Sequence, residues 1–141
     1  MARKDPFDAA VERAVKMDPR YPASAYQLAS VDLHYTMRRL QEERVAKRLP
    51  EASSQHITGK QFALGLRDYM LEEYGPFAAK LLQDENIRAT DDLGNIVYNL
   101  IAVGAFGKTP GDRKDDFHDV FDFYDAFVAP YRPLPDGEED A

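Results

Sequence analysis

The three histidines of this 141-residue chain are the first side chains to consider for chemistry, because imidazole binds metals and transfers protons near neutral pH. His34, His56 and His118 show neither H-x3-H nor H-E-x-x-H spacing, which would place two imidazoles on one helical face. The chain also has no cysteine, which excludes disulfides, thiol catalysis and zinc bound by cysteine. We therefore expect each histidine to have a structural or surface role.

An acidic run in the C-terminal part of the chain is the candidate metal cluster, since calcium and magnesium prefer carboxylate oxygens. The run extends from Asp115 to Asp122 and includes His118. On a strand, Asp116, His118 and Asp122 would share one face. The sequence has no D-x-[DN]-x-[DN]-G-x5-E loop, so we interpret the run as a solvated strand edge whose charges prevent aggregation, and we predict no metal site.

The glycines and serines form no catalytic motif. The stretch 104–109 ends in G-K-T like a phosphate-binding loop, but position 102, where that loop requires its first glycine, is alanine. No serine lies in a nucleophile elbow or in a supported Ser/His/Asp order. We predict a non-enzymatic protein with no catalytic residue and no cofactor.

Helix-start and helix-end signals predict two helices in the first third of the chain. Asp5-Pro6 pairs an N-cap residue with proline at the first helical position, and Asp18-Pro19 ends this helix. A longer helix is expected to begin at about Pro22 or Ser24 and to end at about Arg48. The apolar face of its first half is wide, which indicates contact with more than one neighbour.

Three shorter helices are predicted after residue 56. Thr58 and Gln61 form a capping box at the start of the first helix, and Gly75-Pro76 separates it from the second. Thr90 is expected to cap the third helix. The apolar positions of that third helix recur at helical spacing and should form core: Leu93, Ile96, Val97 and Leu100.

Two strand-like runs follow the third helix. They occupy residues 105–108 and 117–121, and a turn-rich segment at 109–114 lies between them, which is typical of a hairpin. Three helices and then a hairpin is the order of a winged helix-turn-helix. We therefore predict a mainly α fold in which N-terminal helices pack on a winged-helix-like three-helix unit with a short β-hairpin. An arrangement of helices alone is the alternative.

Charge and composition indicate where the domain ends. Residues 112–141 hold ten acidic side chains against three basic ones and carry the whole net charge of -7, whereas residues 1–111 are neutral. We predict one domain over residues 1–129, with an N-terminal helical part at 5–48, a winged-helix-like part at 56–128, and a disordered acidic tail at 130–141. With no membrane-length apolar run and no signal-peptide core, we expect a cytoplasmic protein.

Several sequence blocks resemble the signature of a protein family. They are YPASAY at 21–26, HITG at 56–59, GLRDY at 65–69, EYGP at 73–76, IVYNL at 96–100 and DF at 122–123. In this order, and over about residues 7 to 128, they are similar to the uncharacterised Minf-type family of small bacterial hypothetical proteins. The resemblance implies no activity, ligand or catalytic residue.

The outward face of the third helix is the candidate binding surface. Helical phase leaves Asn95, Tyr98 and Asn99 facing away from the apolar stripe, and an aromatic ring flanked by amides is typical of protein interfaces. We therefore predict a protein-protein interaction module that binds an unknown protein partner or associates with itself, and we expect Asn95→Ala and Asn99→Ala to cost little stability. For Tyr98, packing against the N-terminal helices is the alternative.

Nucleic acid is the other partner considered, since winged helices commonly insert the third helix into the major groove. The amides of Asn95 and Asn99 match the hydrogen-bonding edge of adenine. However, Asp91 and Asp92 precede this face, and the acidic surplus after residue 111 would repel phosphates. We therefore consider nucleic acid an unlikely partner and expect no appreciable binding of duplex DNA at physiological salt.

Overall fold

The computed structural model describes residues 5–50 and 56–133. Over these residues the chain forms five α-helices. The helices are α1 (Pro6–Met17), α2 (Ala23–Ala46), α3 (Gly59–Tyr74), α4 (Ala78–Asp84) and α5 (Thr90–Ala102). Short helical segments follow α5: 3-10 turns at Lys114–Phe117 and Ala129–Tyr131, and a π-helical turn at Tyr124–Val128.

Two predicted helix starts are confirmed with their capping contacts. The Asp5 carboxylate accepts a hydrogen bond from the Phe7 amide at 2.7 Å, directly before Pro6. At the start of α3, the Thr58 hydroxyl accepts from the Gln61 amide at 3.1 Å, and the Gln61 side chain accepts from the Thr58 amide at 3.0 Å. Each contact satisfies a backbone donor that lacks a partner within the helix.

The start of α5 differs from the prediction, because Thr90 is its first residue and does not cap it. The Asp92 carboxylate instead accepts from the amides of Arg88 and Ala89, at 2.9 and 3.2 Å. The Thr90 hydroxyl is buried and donates to the Phe117 carbonyl oxygen at 2.6 Å. Thr90 therefore ties α5 to the segment that follows it.

The predicted core stripe of α5 is confirmed: Leu93, Ile96, Val97 and Leu100 are each at most 5% exposed. The helix contacts α1, α2, α3 and the 114–117 turn, so it lies at the centre of the packing. One hydrophobic cluster extends from Val11 in α1 to Phe127 near the end of the described chain. The N-terminal helices thus pack into the same core as the helices after residue 56.

The predicted β-hairpin is wrong, and with it the winged-helix-like unit. The residues that the structure describes contain no β-strand. Residues 105–108 are irregular, Lys114–Phe117 is a single 3-10 turn, and Asp119 has a φ of +47°, in the left-handed region that no strand uses. The helical alternative describes the molecule correctly.

Phe117 explains why no hairpin forms. Its ring is 3% exposed and packs 5.9 Å, centroid to centroid, from Phe62 of α3. Two glycines allow this approach, because a Cβ at Gly94 would lie 2.8 Å from the Phe117 Cβ and a Cβ at Gly59 would lie 2.7 Å from the Asp116 Cβ. The segment therefore packs between α3 and α5 and does not pair with residues 105–108.

The predicted tail is described only at its beginning. Ala129–Tyr131 forms a 3-10 turn, and the Arg132 guanidinium donates to the Tyr124 hydroxyl, whereas the disorder of the tail stays a prediction. Residues 134–141 and the predicted linker residues 51–55 lie outside the described residues. Among the helices of the described ranges, none combines the length and the apolar character needed to cross a membrane.

Candidate functional site

Asn95, the first residue of the predicted binding face, is partly buried and bonded within the protein. Its side-chain amide donates to the Tyr21 phenolic oxygen at 3.0 Å. Tyr21 in turn donates to the Asp92 carboxylate at 2.6 Å, and it is 1% exposed. Burial and this bond to Asp92 raise the pKa of Tyr21 to about 12, so its hydroxyl keeps its proton at neutral pH.

Asn99 has a similar place one turn further along α5. Its amide donates to the Asp18 carboxylate at 2.8 Å and to the Tyr26 phenolic oxygen at 3.1 Å. Tyr26 is fully buried and lies edge-on to Tyr21. The two asparagines therefore fasten the connection between α1 and α2 to α5. Their predicted role in binding a protein stays a prediction. A partner that used these amides would have to compete with the hydrogen bonds they already make within the protein.

Tyr98 lies on another side of α5, where it faces the segment after the helix. The edge of its ring meets Phe117, with the centroids 6.5 Å apart and the planes at 88°. The Lys108 ammonium lies 5.7 Å from its ring centroid. Its phenolic oxygen is buried and has no hydrogen-bond partner among residues 5–50 and 56–133. These ring contacts are with the segment after α5, and packing against the N-terminal helices stays an alternative for Tyr98.

A cleft of about 310 Å³ lies beside Tyr98. Its apolar lining comes from α2, α3, α5 and the following segment, and includes Met37, Phe62, Val97, Ile101 and Phe106. This volume is at the lower end of the range for ligand pockets, roughly 300–1,000 Å³. At about 30 Å³ per water molecule, the cleft has the volume of about ten waters. This is enough space for one large side chain in place of the water.

Charged residues form the rim of the cleft. The His56 Nε2 lies 3.0 Å from one Asp112 carboxylate oxygen, and the other oxygen accepts from the Thr109 amide at 2.8 Å. Burial opposes ionisation of Asp112, but these partners still lower its pKa below the usual value. Asp116 accepts from the Arg113 amide at 3.0 Å and so closes the turn beside it. Sequence reasoning treated His56 and Asp112 separately and did not identify the cleft.

The Tyr98 hydroxyl oxygen is buried beside this cleft and has no hydrogen-bond partner in the described chain. Burial of the phenol raises its pKa, and the negative charges of Asp112 and Asp116 raise it further. The hydroxyl therefore stays protonated and offers both a donor and an acceptor. A cleft with a largely apolar lining and a few polar residues is suited to binding a ligand.

The acidic run at residues 115–122 is a turn and not a strand edge. His118 is exposed, and its Nδ1 lies 2.7 Å from the Asp91 carboxylate. This contact raises the pKa of His118 and lowers that of Asp91. Within the described ranges, no three side chains of His, Cys, Asp or Glu are grouped as metal ligands. His34 is exposed too, and its ring nitrogen meets the Ser30 carbonyl at 2.7 Å.

A second unusual polar group lies between α2 and α3. Asp32 is 0% exposed, and one of its carboxylate oxygens meets the Thr36 hydroxyl at 2.9 Å. The other oxygen has no partner in the part of the chain that the structure describes. Burial raises the pKa of Asp32 well above its usual 3.8, and nearby Asp68 adds to the effect while Thr36 opposes it. No pattern in the sequence indicates this burial, because aspartate is usually exposed.

In comparisons with known proteins, no family model, no curated protein and no solved structure matches this chain. The resemblance to the Minf-type family accordingly stays a prediction.

Proposed function

We propose that this protein is a non-enzymatic binding module and that it recognises a partner protein by accepting one of the partner's aromatic side chains in the cleft beside Tyr98. The observation that carries the proposal is the cleft itself, which is lined by aromatic and aliphatic side chains and has polar residues among its lining. Protein interfaces commonly obtain most of their affinity from a few aromatic anchors that fill such pockets.

The cleft has the composition of an anchor pocket. Aromatic and aliphatic side chains from three helices form its floor, and the charged residues remain at its edge. Two residues of the rim, His56 and Asp112, contact each other and so hold the 109–113 turn against the start of α3. A largely preformed pocket with a polar rim favours binding, because little ordering is needed when the side chain enters.

The charges around the cleft favour a protein over a nucleic acid. Asp112, Asp116 and Arg113 all line the cleft, so its rim lacks the surplus of positive charge that would attract a phosphate. Each carboxylate in such a position opposes the release of counterions that drives nucleic-acid binding. The amides of Asn95 and Asn99, considered as readers of adenine, are bonded to Tyr21 and Tyr26.

The test is an NMR titration of the full chain with N-acetyl-phenylalanine amide, a neutral stand-in for an aromatic side chain of a protein. At about 0.3 kcal/mol per non-hydrogen atom, a probe of this size should bind with a Kd on the order of 1 mM. We expect saturable shift changes at Val97, Tyr98, Ile101 and Phe106. Absence of saturable changes at these residues would overturn the proposal.

A pair of variants shows whether the cleft is the site. Ile101→Trp adds bulk to the cleft wall and should abolish the titration, whereas Val45→Trp, at a position of α2 that is 65% exposed, should leave it unchanged. If the Ile101→Trp protein is folded and binds the probe as before, the site lies elsewhere. Salt-sensitive binding of a short duplex DNA, with no response to the probe, would favour a nucleic-acid partner instead.

A further inference from the structure

A second cleft adjoins the first along α2. It has a volume of about 260 Å³, and its apolar lining includes Leu40 of α2, Leu49 after that helix and Ile57 before α3. Met37, His56 and Ile57 line both clefts, so the two clefts form one groove. A groove with two successive pockets is suited to a stretch of extended peptide, which places side chains in neighbouring pockets.

The charges around the first cleft balance one another. Asp112 and Asp116 line this cleft together with Arg113. The Lys108 ammonium lies beside it, 5.7 Å from the centroid of the Tyr98 ring. Two carboxylates and two cations leave no net charge there, so the first cleft is suited to an uncharged aromatic side chain.

The second cleft has a surplus of positive charge. Arg44 and Lys47 line it together with Glu43, and Glu43 pairs with Lys47 at 2.6 Å. The Arg44 guanidinium donates to the Pro50 carbonyl oxygen, from Nε at 2.9 Å. A carbonyl oxygen carries no net charge, so within the part of the chain that the structure describes the charge of Arg44 has no ion-pair partner. A carboxylate is therefore the group that this end of the groove attracts.

The geometry of α2 sets the spacing between the two pockets. About two turns of the helix separate Met37, where the clefts meet, from Arg44, or about 10 Å at about 1.5 Å per residue. An extended peptide covers that distance in about three residues, at about 3.3 Å each. We infer that the groove binds an extended segment of a partner protein in which an acidic residue lies about three positions from the aromatic anchor, with its carboxylate beside Arg44; this rests on the proposed function and names the partner's chemistry.

The acidic tail of the chain itself is the other occupant considered. The hydroxyl of Tyr131, near the end of the described residues, would lie 3.8 Å from a Cβ at Gly75, directly after α3. The second cleft is at the opposite end of α3, where Gln61 lines it, and the helix between Gly75 and Gln61 is about 21 Å long. Residues 134–141 would need nearly their full extended length to reach across, whereas a partner's segment needs no such extension.

The experiment compares peptides that differ in one charge. The probes are N-acetylated and amidated Phe-Ser-Gly-Glu, its glutamine counterpart, and the same pair in reverse order, each titrated into the full chain and followed by NMR. In whichever order binds more tightly, we expect glutamate to give about threefold higher affinity than glutamine, the effect of one exposed ion pair. The difference should disappear in about 1 M salt, where charges more than about 3 Å apart are screened. Equal affinities at low salt, or tighter binding of the glutamine peptides, would overturn the inference.

Variants of Arg44 connect the difference to its charge. Arg44→Gln should remove the threefold preference, whereas Arg44→Lys, which keeps the positive charge, should retain it. Lys16→Gln is the matched control, because it removes the same charge from an exposed position of α1 that lines neither cleft. A preference that persists in Arg44→Gln, or that is lost in Lys16→Gln as well, would contradict the inference.

The outcomes separate this inference from the proposed function. If the glutamate and glutamine peptides bind in the first cleft with equal affinity, the inference fails and the proposed function stands. If no peptide produces saturable changes, both fail. The double substitution Glu138→Gln and Glu139→Gln in the full chain should leave all affinities unchanged. Tighter binding of the glutamate peptides to that variant would identify the acidic tail as the occupant and so contradict the assignment to a partner.

Discussion

The side-chain amide of Asn99 donates to the phenolic oxygen of Tyr26 at 3.1 Å and to the Asp18 carboxylate at 2.8 Å. Tyr26 lies in α2 and Asp18 ends α1, so one amide joins three parts of the fold. Asp18 is held by Arg20 as well, and the hydrogen bonds from Arg20 and Asn99 keep the pKa of Asp18 far below its usual range. The carboxylate is therefore ionised, and the Asn99 contact to it is a charge-assisted bond.

Asn99→Ala should destabilise the protein by about 1–3 kcal/mol, because it removes hydrogen bonds to a carboxylate and to a buried phenol. The measurement is chemical denaturation of both proteins at neutral pH. Gln83→Ala, at an exposed position of α4, is the matched control and should stay within about 0.5 kcal/mol of wild type. An equally small effect for Asn99→Ala would contradict this prediction. It would agree instead with the expectation from the sequence that Asn99 contributes little to stability and is free to bind a partner.

Helical phase located Asn95 and Asn99 correctly on the side of α5 away from the apolar stripe. It could not show that the connection between α1 and α2 covers that side, because contacts between distant segments are not encoded in periodicity. Tyr21 and Tyr26 are both buried there and supply the hydroxyls that the amides meet. A helix face without apolar residues can be exposed to solvent, or it can be covered by a neighbouring segment that forms hydrogen bonds to its polar groups.

The helix starts were predictable because capping is local chemistry within a few residues. Thr58 and Gln61 form their capping box in the structure as the sequence indicated. The conformation of the segment 105–123 was not predictable in the same way, since its pattern of aromatic residues is also typical of strands. Its conformation depends on Gly59 and Gly94, which lie far from Phe117 in sequence and leave the space that its side chain fills.

Gly65 marks a close approach of α3 to α2. A Cβ built at this position would lie 1.8 Å from the Thr36 hydroxyl oxygen and 3.0 Å from an Asp32 carboxylate oxygen. An alanine in a helix interior is ordinarily about 1 kcal/mol more favourable than glycine. The crowding at Thr36 should make alanine less favourable than glycine at this position, since the contact is far inside van der Waals distance.

We expect Gly65→Ala to destabilise the protein by about 1–3 kcal/mol, as overpacking of a tight contact does. Adding Thr36→Ala, which removes the hydroxyl oxygen, should recover part of the loss in a double-mutant cycle. Gly111→Ala is the control, because no described atom lies within 4 Å of a Cβ at that position. Thermal or chemical unfolding of the four variants measures these effects, and a stabilising Gly65→Ala would disprove the close approach.

Asp32 occupies the same contact between α2 and α3, and its burial favours the protonated acid. The pKa is raised by burial first and by Asp68 second. A group whose pKa is higher in the folded than in the unfolded state stabilises the fold below its unfolded pKa. That contribution is lost as the pH rises from there through the folded pKa, because the unfolded chain then binds fewer protons than the folded one.

Asp32→Asn should therefore be more stable than wild type at neutral pH and should lose its advantage near pH 4, close to the usual pKa of 3.8. The amide keeps an acceptor for the Thr36 hydroxyl and carries no charge at any pH. The measurement is the free energy of unfolding of both proteins between pH 4 and 8, in which the difference should grow by up to about 1.4 kcal/mol per pH unit until Asp32 ionises. Asp84→Asn, an exposed carboxylate paired with Lys80, is the control and should show no such rise. A difference between Asp32→Asn and wild type that stays constant over this range would show that Asp32 titrates alike in the folded and unfolded states, contrary to its burial.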